Sequence, residues 1–254
     1  MNGFLLDLDG TLYVGDSPIP GAVEAISRLA ALGVPRRYLT NTTRLSRQGI
    51  AERLQRMGFP IEVDEIFTAP LAASLWLQTN GIERIALYLP AEARADLAGF
   101  QVVESGAQAI VVGDLGDDWS FARLNAAFLE LMGGARLVAL QKNRYWKSPR
   151  GIALDAGPFV AALEYAAGQA AIVVGKPSAA FFLLAAGSLG LKPEEITVVG
   201  DDVETDVAGA QAAGMRGVLV RTGKFREDVL EQTGIRPDDV ADSLHDLVTR
   251  TFAP

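Results

Sequence analysis

The most constraining feature of this 254-residue sequence is an alternation between short, wholly apolar segments and amphipathic segments. Residues 172–174, 196–199 and 218–220 are continuous apolar runs, which are typical of strands covered on both faces of a parallel sheet. Between them, residues 179–189 and 205–213 have apolar positions at helical spacing, and each segment is followed by a glycine. This order predicts an α/β fold on a mainly parallel sheet that is covered on both faces.

The same alternation opens the chain and recurs in its middle. At the start we predict strands at 4–8 and 37–39, and helices at 21–32 and 46–57. In the middle we predict strands at 85–89, 109–112 and 136–140, and helices at 71–78, 121–132 and 159–166. A second α/β domain inserted into the first fits this order, although periodicity alone does not show an insertion.

The composition excludes several kinds of catalytic site and partner. The chain has no cysteine, which excludes disulfides and thiolate chemistry, and its one histidine, His245, excludes a two-histidine metal site. The net charge of -8 makes nucleic acid and anionic membranes poor partners. The sequence lacks an apolar run of about 18 residues, and its first residues do not resemble a signal peptide. We therefore expect a cytoplasmic protein whose polar chemistry depends on carboxylates, hydroxyls, lysine and arginine.

An acidic motif, Asp7-Leu8-Asp9-Gly10-Thr11, follows the first predicted strand. Ligands of open α/β sheets bind beyond the carboxyl ends of strands, and Gly10 permits a sharp turn there. One carboxylate can then attack a substrate while the other transfers a proton. The alternative is a polar turn without function.

A second acidic group follows the strand at 196–199 and consists of Asp201, Asp202 and Asp206. Carboxylates gathered at strand ends repel one another unless a cation joins them, and ligation by acids alone suits Mg²⁺. The alternative is that Asp201 or Asp202 is the N-cap of the next helix.

Two polar segments end other predicted strands. Thr40 and Asn41 offer a hydroxyl and an amide to phosphate oxygens, and Lys176 offers a positive charge. A P-loop is excluded because Pro177 stands where Ser or Thr is required. The segment ending in Asp114 resembles the segment ending in Asp201, so composition alone does not choose between these two acidic groups.

The order of these motifs resembles the haloacid dehalogenase superfamily: DLDGT at 7–11, Thr40-Asn41, Lys176 and GDD…D at 200–206. The long span between Thr40 and Lys176 resembles the inserted cap of its NagD-like, type IIA phosphatases. The resemblance implies a Rossmann-like, parallel-sheet catalytic core at 1–70 and 175–254, and an inserted C2-type α/β cap at 71–174. It also places Asp114 in the cap, away from the catalytic metal.

The resemblance implies a Mg²⁺-dependent phosphatase. Asp7 would be the nucleophile that forms an aspartyl-phosphate, and Asp9 would protonate the leaving group and then activate water. Asp7, the backbone carbonyl of Asp9 and Asp201 would bind the metal, with Asp202 and Asp206 in auxiliary roles. Thr40, Asn41 and Lys176 would hold the phosphate.

The substrate is expected to be a small phosphorylated compound that contacts the cap. The candidate contacts lie in a basic, aromatic segment and are Arg144, Tyr145, Trp146, Lys147 and Asp155. The alternative is a solvated loop whose aromatic side chains pack on the cap. Other functions left open are hydrolysis of pyrophosphate or a phosphoamide, and phosphate-ligand binding without catalysis. Relatives of this type often form homodimers, which implies that the cap could support a homodimer here as well.

Overall fold

The structure is a computed structural model that describes residues 3–148 and 151–253, except for the side chains of residues 147 and 148. The chain divides into two compact units. Unit 1 contains the described residues of Met1–Thr40, Arg47–Phe67 and Lys176–Pro254, and unit 2 contains those of Asn41–Ser46 and Thr68–Gly175. The assignment of 1–70 and 175–254 as a catalytic core and of 71–174 as a cap stays a prediction.

The strands of the described chain are β1 Gly3–Asp7, β2 Tyr13–Val14, β3 Ser17–Pro18, β4 Arg36–Thr40, β5 Ile66–Thr68, β6 Arg84–Tyr88, β7 Gln101–Val102, β8 Ala109–Val112, β9 Arg136–Ala139, β10 Tyr145–Ser148, β11 Gly151–Leu154, β12 Ile172–Val173, β13 Ile196–Gly200, β14 Arg216–Val220 and β15 Asp239–Ala241. The α-helices are α1 Ala22–Ala31, α2 Arg47–Arg56, α3 Ala69–Thr79, α4 Phe121–Met132, α5 Ala156–Ala167, α6 Ala179–Ser188, α7 Gly209–Ala212, α8 Glu227–Thr233 and α9 Leu244–Thr251. A π-helical turn at Val203–Ala208 precedes α7.

Unit 1 is built on a sheet with the strand order β15-β14-β13-β1-β4-β5. The pairs β1–β4, β1–β13, β13–β14 and β14–β15 are parallel. Both β1 and β13 are buried along their whole length, as their continuous apolar sequences predict. Because parallel strands end at the same edge, this sheet places Asp7, Thr40 and Asp201 at one edge.

The core of unit 1 is formed by side chains of β1 and β13 together with the apolar faces of α1, α2 and α9. Helix α9 shows why these segments are helical: Leu244, Leu247 and Val248 are buried on one face. Its N-cap Ser243 accepts a hydrogen bond of 3.2 Å from the backbone N–H of Asp246.

Unit 2 has a sheet of its own with the strand order β12-β9-β8-β6-β7, in which each neighbouring pair is parallel. Its core joins residues of β6, β8 and β9 to the buried faces of α4 and α5. Strands β10 and β11 form a separate antiparallel pair. The predicted α/β fold class with mainly parallel sheets is confirmed. Within the described residues, no helix combines the length and apolarity needed to cross a membrane.

Candidate active site

Asp7 is the last residue of β1 and is buried. Its Oδ1 atom lies 2.5 Å from the Nζ atom of Lys176, and its Oδ2 atom accepts a long hydrogen bond of 3.5 Å from the hydroxyl of Thr11. The end of a buried strand therefore holds a carboxylate in a fixed position beside a cation.

Lys176 lies between two carboxylates. Its Nζ atom is 2.7 Å from the Oδ1 atom of Asp206, in addition to its contact with Asp7, and the lysine side chain is 7% exposed. Burial disfavours the charged amine, but the carboxylates of Asp206 and Asp7 outweigh this effect and raise the pKa of Lys176. Lys176 is therefore a fixed positive charge.

Asp201 and Asp206 complete a cluster of buried acids with Asp7. Among the described residues, these three form the group of acids close enough to share a metal ion, with one carboxylate oxygen of each within 4.8 Å of the others. Burial and the neighbouring carboxylate of Asp7 raise the pKa of Asp201. Burial also raises the pKa of Asp206, against the opposing effect of Lys176. The cluster is short of positive charge even with Lys176 present.

Two backbone positions beside the Asp201 carboxylate have room only for glycine. The Oδ2 atom of Asp201 accepts a hydrogen bond of 2.6 Å from the backbone N–H of Lys224. Gly10 (φ +90°) and Gly223 (φ +56°) flank this carboxylate, and a Cβ atom on either residue would collide with it. The hydroxyl of Thr222 also donates to the carbonyl oxygen of Gly10.

Asp202 and Asp206 differ in their burial and in their hydrogen-bond partners. Asp202 is the N-cap of the π-helical turn, where its Oδ1 atom accepts from the backbone N–H groups of Glu204 (3.1 Å) and Thr205 (3.0 Å). This is the capping alternative that the sequence left open. Asp206 is 1% exposed, and its Oδ2 atom accepts a hydrogen bond of 3.2 Å from the backbone N–H of Asp202.

Asp9 and Thr40 lie at the ends of β1 and β4, whereas Asn41 and His245 are placed elsewhere. Asp9 is exposed just beyond β1, and its partial desolvation together with the carboxylate of Asp7 raises its pKa. Thr40 is the buried last residue of β4, which pairs with β1 through Asp7 and Leu39. Asn41 belongs to unit 2. His245 is exposed on α9, where its Nδ1 atom lies 3.2 Å from the carbonyl oxygen of Gly21.

The residues predicted as cap contacts lie in unit 2, on and around β10 and β11. Arg144 and Tyr145 are exposed, whereas the ring of Trp146 lies 3.9 Å beneath the guanidinium carbon of Arg44. The side chain of Lys147 is outside the described residues.

Two acids of unit 2 have structural partners. Asp155 is buried as the N-cap of α5, where it accepts hydrogen bonds from the backbone N–H of Ala156 (2.8 Å) and from the amide of Gln141. Asp114 forms an ion pair with Arg44 and belongs to unit 2, so it lies outside the acidic cluster of unit 1.

Three residues near the cluster had no predicted role: Thr11, Thr222 and Lys224. Thr11 is part of the quoted DLDGT motif. Thr222 and Lys224 follow β14, which neighbours β13 in the sheet. The strand-end argument that found Asp201 also applies to this segment and is the signal that could have identified it.

Comparison with known proteins gives matches along most of the chain. A haloacid dehalogenase-like hydrolase model matches residues 4–102, and a HAD-hydrolase-like model matches residues 173–247. Haloacid dehalogenase-like hydrolase domain-containing protein 2 of Bos taurus is 46% identical over 226 residues, covering 89% of this chain and 86% of the relative. Human phospholysine phosphohistidine inorganic pyrophosphate phosphatase is 37% identical, covering 98% of this chain and 93% of the relative.

The fold of this chain also matches that of solved phosphatase structures. The p-nitrophenyl phosphatase from Archaeoglobus fulgidus superposes with a TM-score of 0.91 at 29% identity, covering 98% of both chains. The fold is also that of NagD from E. coli. Together the fold and these similarities define an enzyme of the phosphatase class. The chain belongs to the haloacid dehalogenase superfamily.

Proposed function

We propose that this chain hydrolyses a small phosphorylated compound in two steps, through a phosphoryl group carried by Asp7. The observation that supports this most strongly is the buried cluster of Asp7, Asp201 and Asp206, in which the Lys176 amine contacts Asp7 and Asp206. Phosphoryl transfer is mainly a matter of positioning and charge neutralisation, and this cluster provides a fixed carboxylate with a cation against it.

The donor set fits a magnesium ion. Carboxylates are hard oxygen ligands, and the raised pKa of Asp201 indicates a site that favours more positive charge. Asp7 and Asp201 would hold the ion through their carboxylates, and Asp9 through its backbone carbonyl. A bound magnesium ion supplies charge neutralisation and orients the phosphate for in-line attack.

In the first step a carboxylate oxygen of Asp7 attacks phosphorus, and the bond from phosphorus to the leaving oxygen breaks. Asp9 donates a proton to that oxygen, so the product leaves as an alcohol or as a protonated phosphate. The raised pKa of Asp9 favours the protonated carboxyl that this step requires.

In the second step a water molecule attacks the phosphorus atom of the aspartyl-phosphate. Asp9, now ionised, accepts the proton of that water, and the bond between phosphorus and Asp7 breaks. Inorganic phosphate leaves, and both carboxyl groups return to their starting states.

The other predicted residues hold the phosphate. Lys176 neutralises its charge, and Thr40 with Asn41 donates hydrogen bonds to its oxygens. Asp206 acts through Lys176, because its carboxylate and that of Asp7 fix the amine from two directions. Asp206 is therefore a positioning residue.

Substrate selection belongs to unit 2 in this proposal, with residues 71–174 as the cap. Arg144 and Tyr145 are exposed there and can contact a ligand. The structure gives Trp146 and Asp155 packing and capping contacts, which favours structural roles for those two. A homodimer through the cap remains part of the proposal.

The test is release of phosphate from p-nitrophenyl phosphate and from pyrophosphate, with Mg²⁺ and with a chelator. Asp7→Asn is expected to abolish release while leaving the circular dichroism spectrum unchanged. The matched control is Asp117→Asn, the same chemical change at an exposed position of unit 2. Release that persists in Asp7→Asn would refute the assignment of the nucleophile, and metal binding without release from any phosphate ester would favour a binding protein.

A further inference from the structure

A cavity of about 510 Å³ lies in unit 2, at the edge where the strands of its sheet begin. We call it the edge pocket and define it by Asn80, Arg84, Gly106, Gln108, Gly134 and Arg136. Its volume is within the range of small-molecule sites, roughly 300–1,000 Å³. Ligands of α/β sheets are usually sought at the opposite edge, so the strand-end argument does not point here.

The strand register places two arginines at this edge. Arg84 is the first residue of β6 and Arg136 the first of β9, and these strands flank β8. Arg136, Ala109 and Ile85 are register partners and lie side by side across the three strands. Arg84 precedes Ile85 and therefore lies one residue before this row. Since side chains alternate between the faces of a sheet, the two guanidinium groups approach the edge from opposite faces.

Neighbouring groups orient both arginines but use only some of their N–H donors. The Nε atom of Arg84 donates to the carbonyl oxygen of Gly106 at 3.1 Å, and the Nη1 atom of Arg136 donates to the Oδ1 atom of Asn80 at 3.0 Å. Neither arginine forms an ion pair within the part of the chain that the structure describes. Each guanidinium carries five N–H donors, so most of them remain for a ligand.

Gln108 adds a neutral donor with a fixed orientation. Its Oε1 atom accepts hydrogen bonds of 2.9 Å from the backbone N–H groups of both Glu83 and Arg84. These two donors identify the oxygen of the amide, so its NH₂ group faces away from them. The side-chain oxygens of Asn80 and Gln108 are therefore occupied, whereas donors remain on Arg84, Arg136 and Gln108.

The charge and shape of the edge pocket favour an anionic ligand, as the remaining N–H donors do. Two of its lining side chains are cationic and none is acidic, although the whole chain carries a net charge of -8. Glu130 lies outside the lining, and its carboxylate is bound by the backbone N–H groups of Gly106 and Ala107. A Cβ atom built on Gly106 or Gly134 would meet no atom within 4 Å, so space is open at these turns.

We propose that the edge pocket is an anion-binding site, separate from the acidic cluster of unit 1, for a compact polyanion whose anionic oxygens accept hydrogen bonds. Arg84 and Arg136 would bind two anionic groups of one molecule, and the NH₂ group of Gln108 would bind an oxygen between them. Phosphate and carboxylate oxygens share this chemistry, and the test distinguishes them.

The test is isothermal titration of the full chain with pyrophosphate and, separately, with citrate, both in the presence of a chelator. Gln108→Glu retains an oxygen for the two backbone donors but replaces the NH₂ group by a negatively charged oxygen. We expect this change, and the double change Arg84→Gln with Arg136→Gln, to weaken binding at least about tenfold, as expected for loss of charge-assisted hydrogen bonds. The matched control, Arg123→Gln, removes an exposed arginine of unit 2 outside the pocket and is expected to bind like the wild type.

A second readout is specific to the location. The guanidinium carbon of Arg136 lies 5.7 Å from the centre of the Trp76 ring, so a ligand on Arg136 is expected to change the fluorescence of this tryptophan. That change is expected to disappear in Trp76→Phe. Binding of only one of the two probes would identify the oxygen class. No binding of either probe to the wild type, or equal affinities in the wild type and the Gln108→Glu and double-arginine variants, would overturn the proposal.

Discussion

Replacing Lys176 by methionine is expected to destabilise unit 1 strongly, because Lys176 is the cation held between two of the three buried carboxylates. Methionine matches the length of the side chain but carries no charge. Breaking a buried ion pair by removing one partner destabilises a protein by about 3–5 kcal/mol, since it leaves an uncompensated buried charge. We expect a loss of this size.

The geometry supports the estimate. At an effective dielectric constant of about 20, a contact of 2.5 or 2.7 Å between the amine and a carboxylate is worth roughly 6 kcal/mol before the desolvation of the amine is subtracted. Without the amine, carboxylates whose oxygens lie within 4.8 Å of one another repel by about 3 kcal/mol per pair. Desolvation of the amine and protonation of the acids offset much of these energies, and the net loss is expected to be that of a broken buried ion pair, about 3–5 kcal/mol. For a chain of this size the loss corresponds to roughly 10 °C in Tm.

Hydrogen exchange measured by mass spectrometry is the suitable assay, because it resolves the two units. Peptides covering β1 and β13 are expected to exchange faster in Lys176→Met, whereas peptides of β8 and β9 in unit 2 are expected to change less. Added Mg²⁺ is expected to restore more protection in this variant than in the wild type. The control is Lys192→Met, which changes an exposed lysine of unit 1 and is expected to alter stability by less than about 0.5 kcal/mol. Wild-type protection of β1 and β13 in Lys176→Met would refute the reasoning.

Three further predictions follow from particular contacts. Gly10→Ala is expected to lower stability by at least about 1 kcal/mol and to weaken Mg²⁺ binding, because of the positive φ and the collision with Asp201; titration with Mg²⁺ checks this, and wild-type affinity would contradict it. Ser243→Ala is expected to cost about 1 kcal/mol in urea unfolding, because α9 loses its N-cap; an unchanged midpoint would contradict it. Partial burial raises the pKa of Glu164, but hydrogen bonds from Lys142 and the backbone outweigh this effect and lower it. The ionised Glu164 carboxylate therefore stabilises the folded protein fully at pH values above the pKa of the unfolded state. This stabilisation is lost as the pH falls through the pKa of the folded state. Tryptophan fluorescence during acid titration is expected to show a smaller pH effect in Glu164→Gln, and identical curves would contradict this.

The regular elements that carry the site could be predicted because the physics behind them is local. The continuous apolar runs of β1 and β13 indicate strands buried on both faces, and polar residues directly after them are placed at one edge of the sheet. The contact between Asp7 and Lys176, 169 residues apart, depends on the tertiary fold, which periodicity does not specify. The family resemblance implied that both residues serve one site.

Other features depend on contacts that no local pattern shows. The helix predicted at 205–213 begins instead as a π-helical turn at Val203–Ala208, where Asp202 caps the start and Asp206 is tied to a lysine 30 residues away. The sequence pattern predicts no strands in the segment containing β10 and β11, because its charged and aromatic residues obscure the strand pattern. The edge pocket was not predicted either, since Arg84, Gln108 and Arg136 are ordinary surface residues until the sheet brings them together.

The most direct test of the central claim is chemical trapping of the proposed intermediate on Asp7. Borohydride reduces an acyl phosphate on an aspartate to homoserine, and tandem mass spectrometry locates the change in the peptide that contains β1. During turnover of p-nitrophenyl phosphate with Mg²⁺ we expect homoserine at position 7, and none when the substrate is omitted. Intact Asp7 in a sample that is releasing phosphate, or homoserine at a different aspartate, would contradict the account.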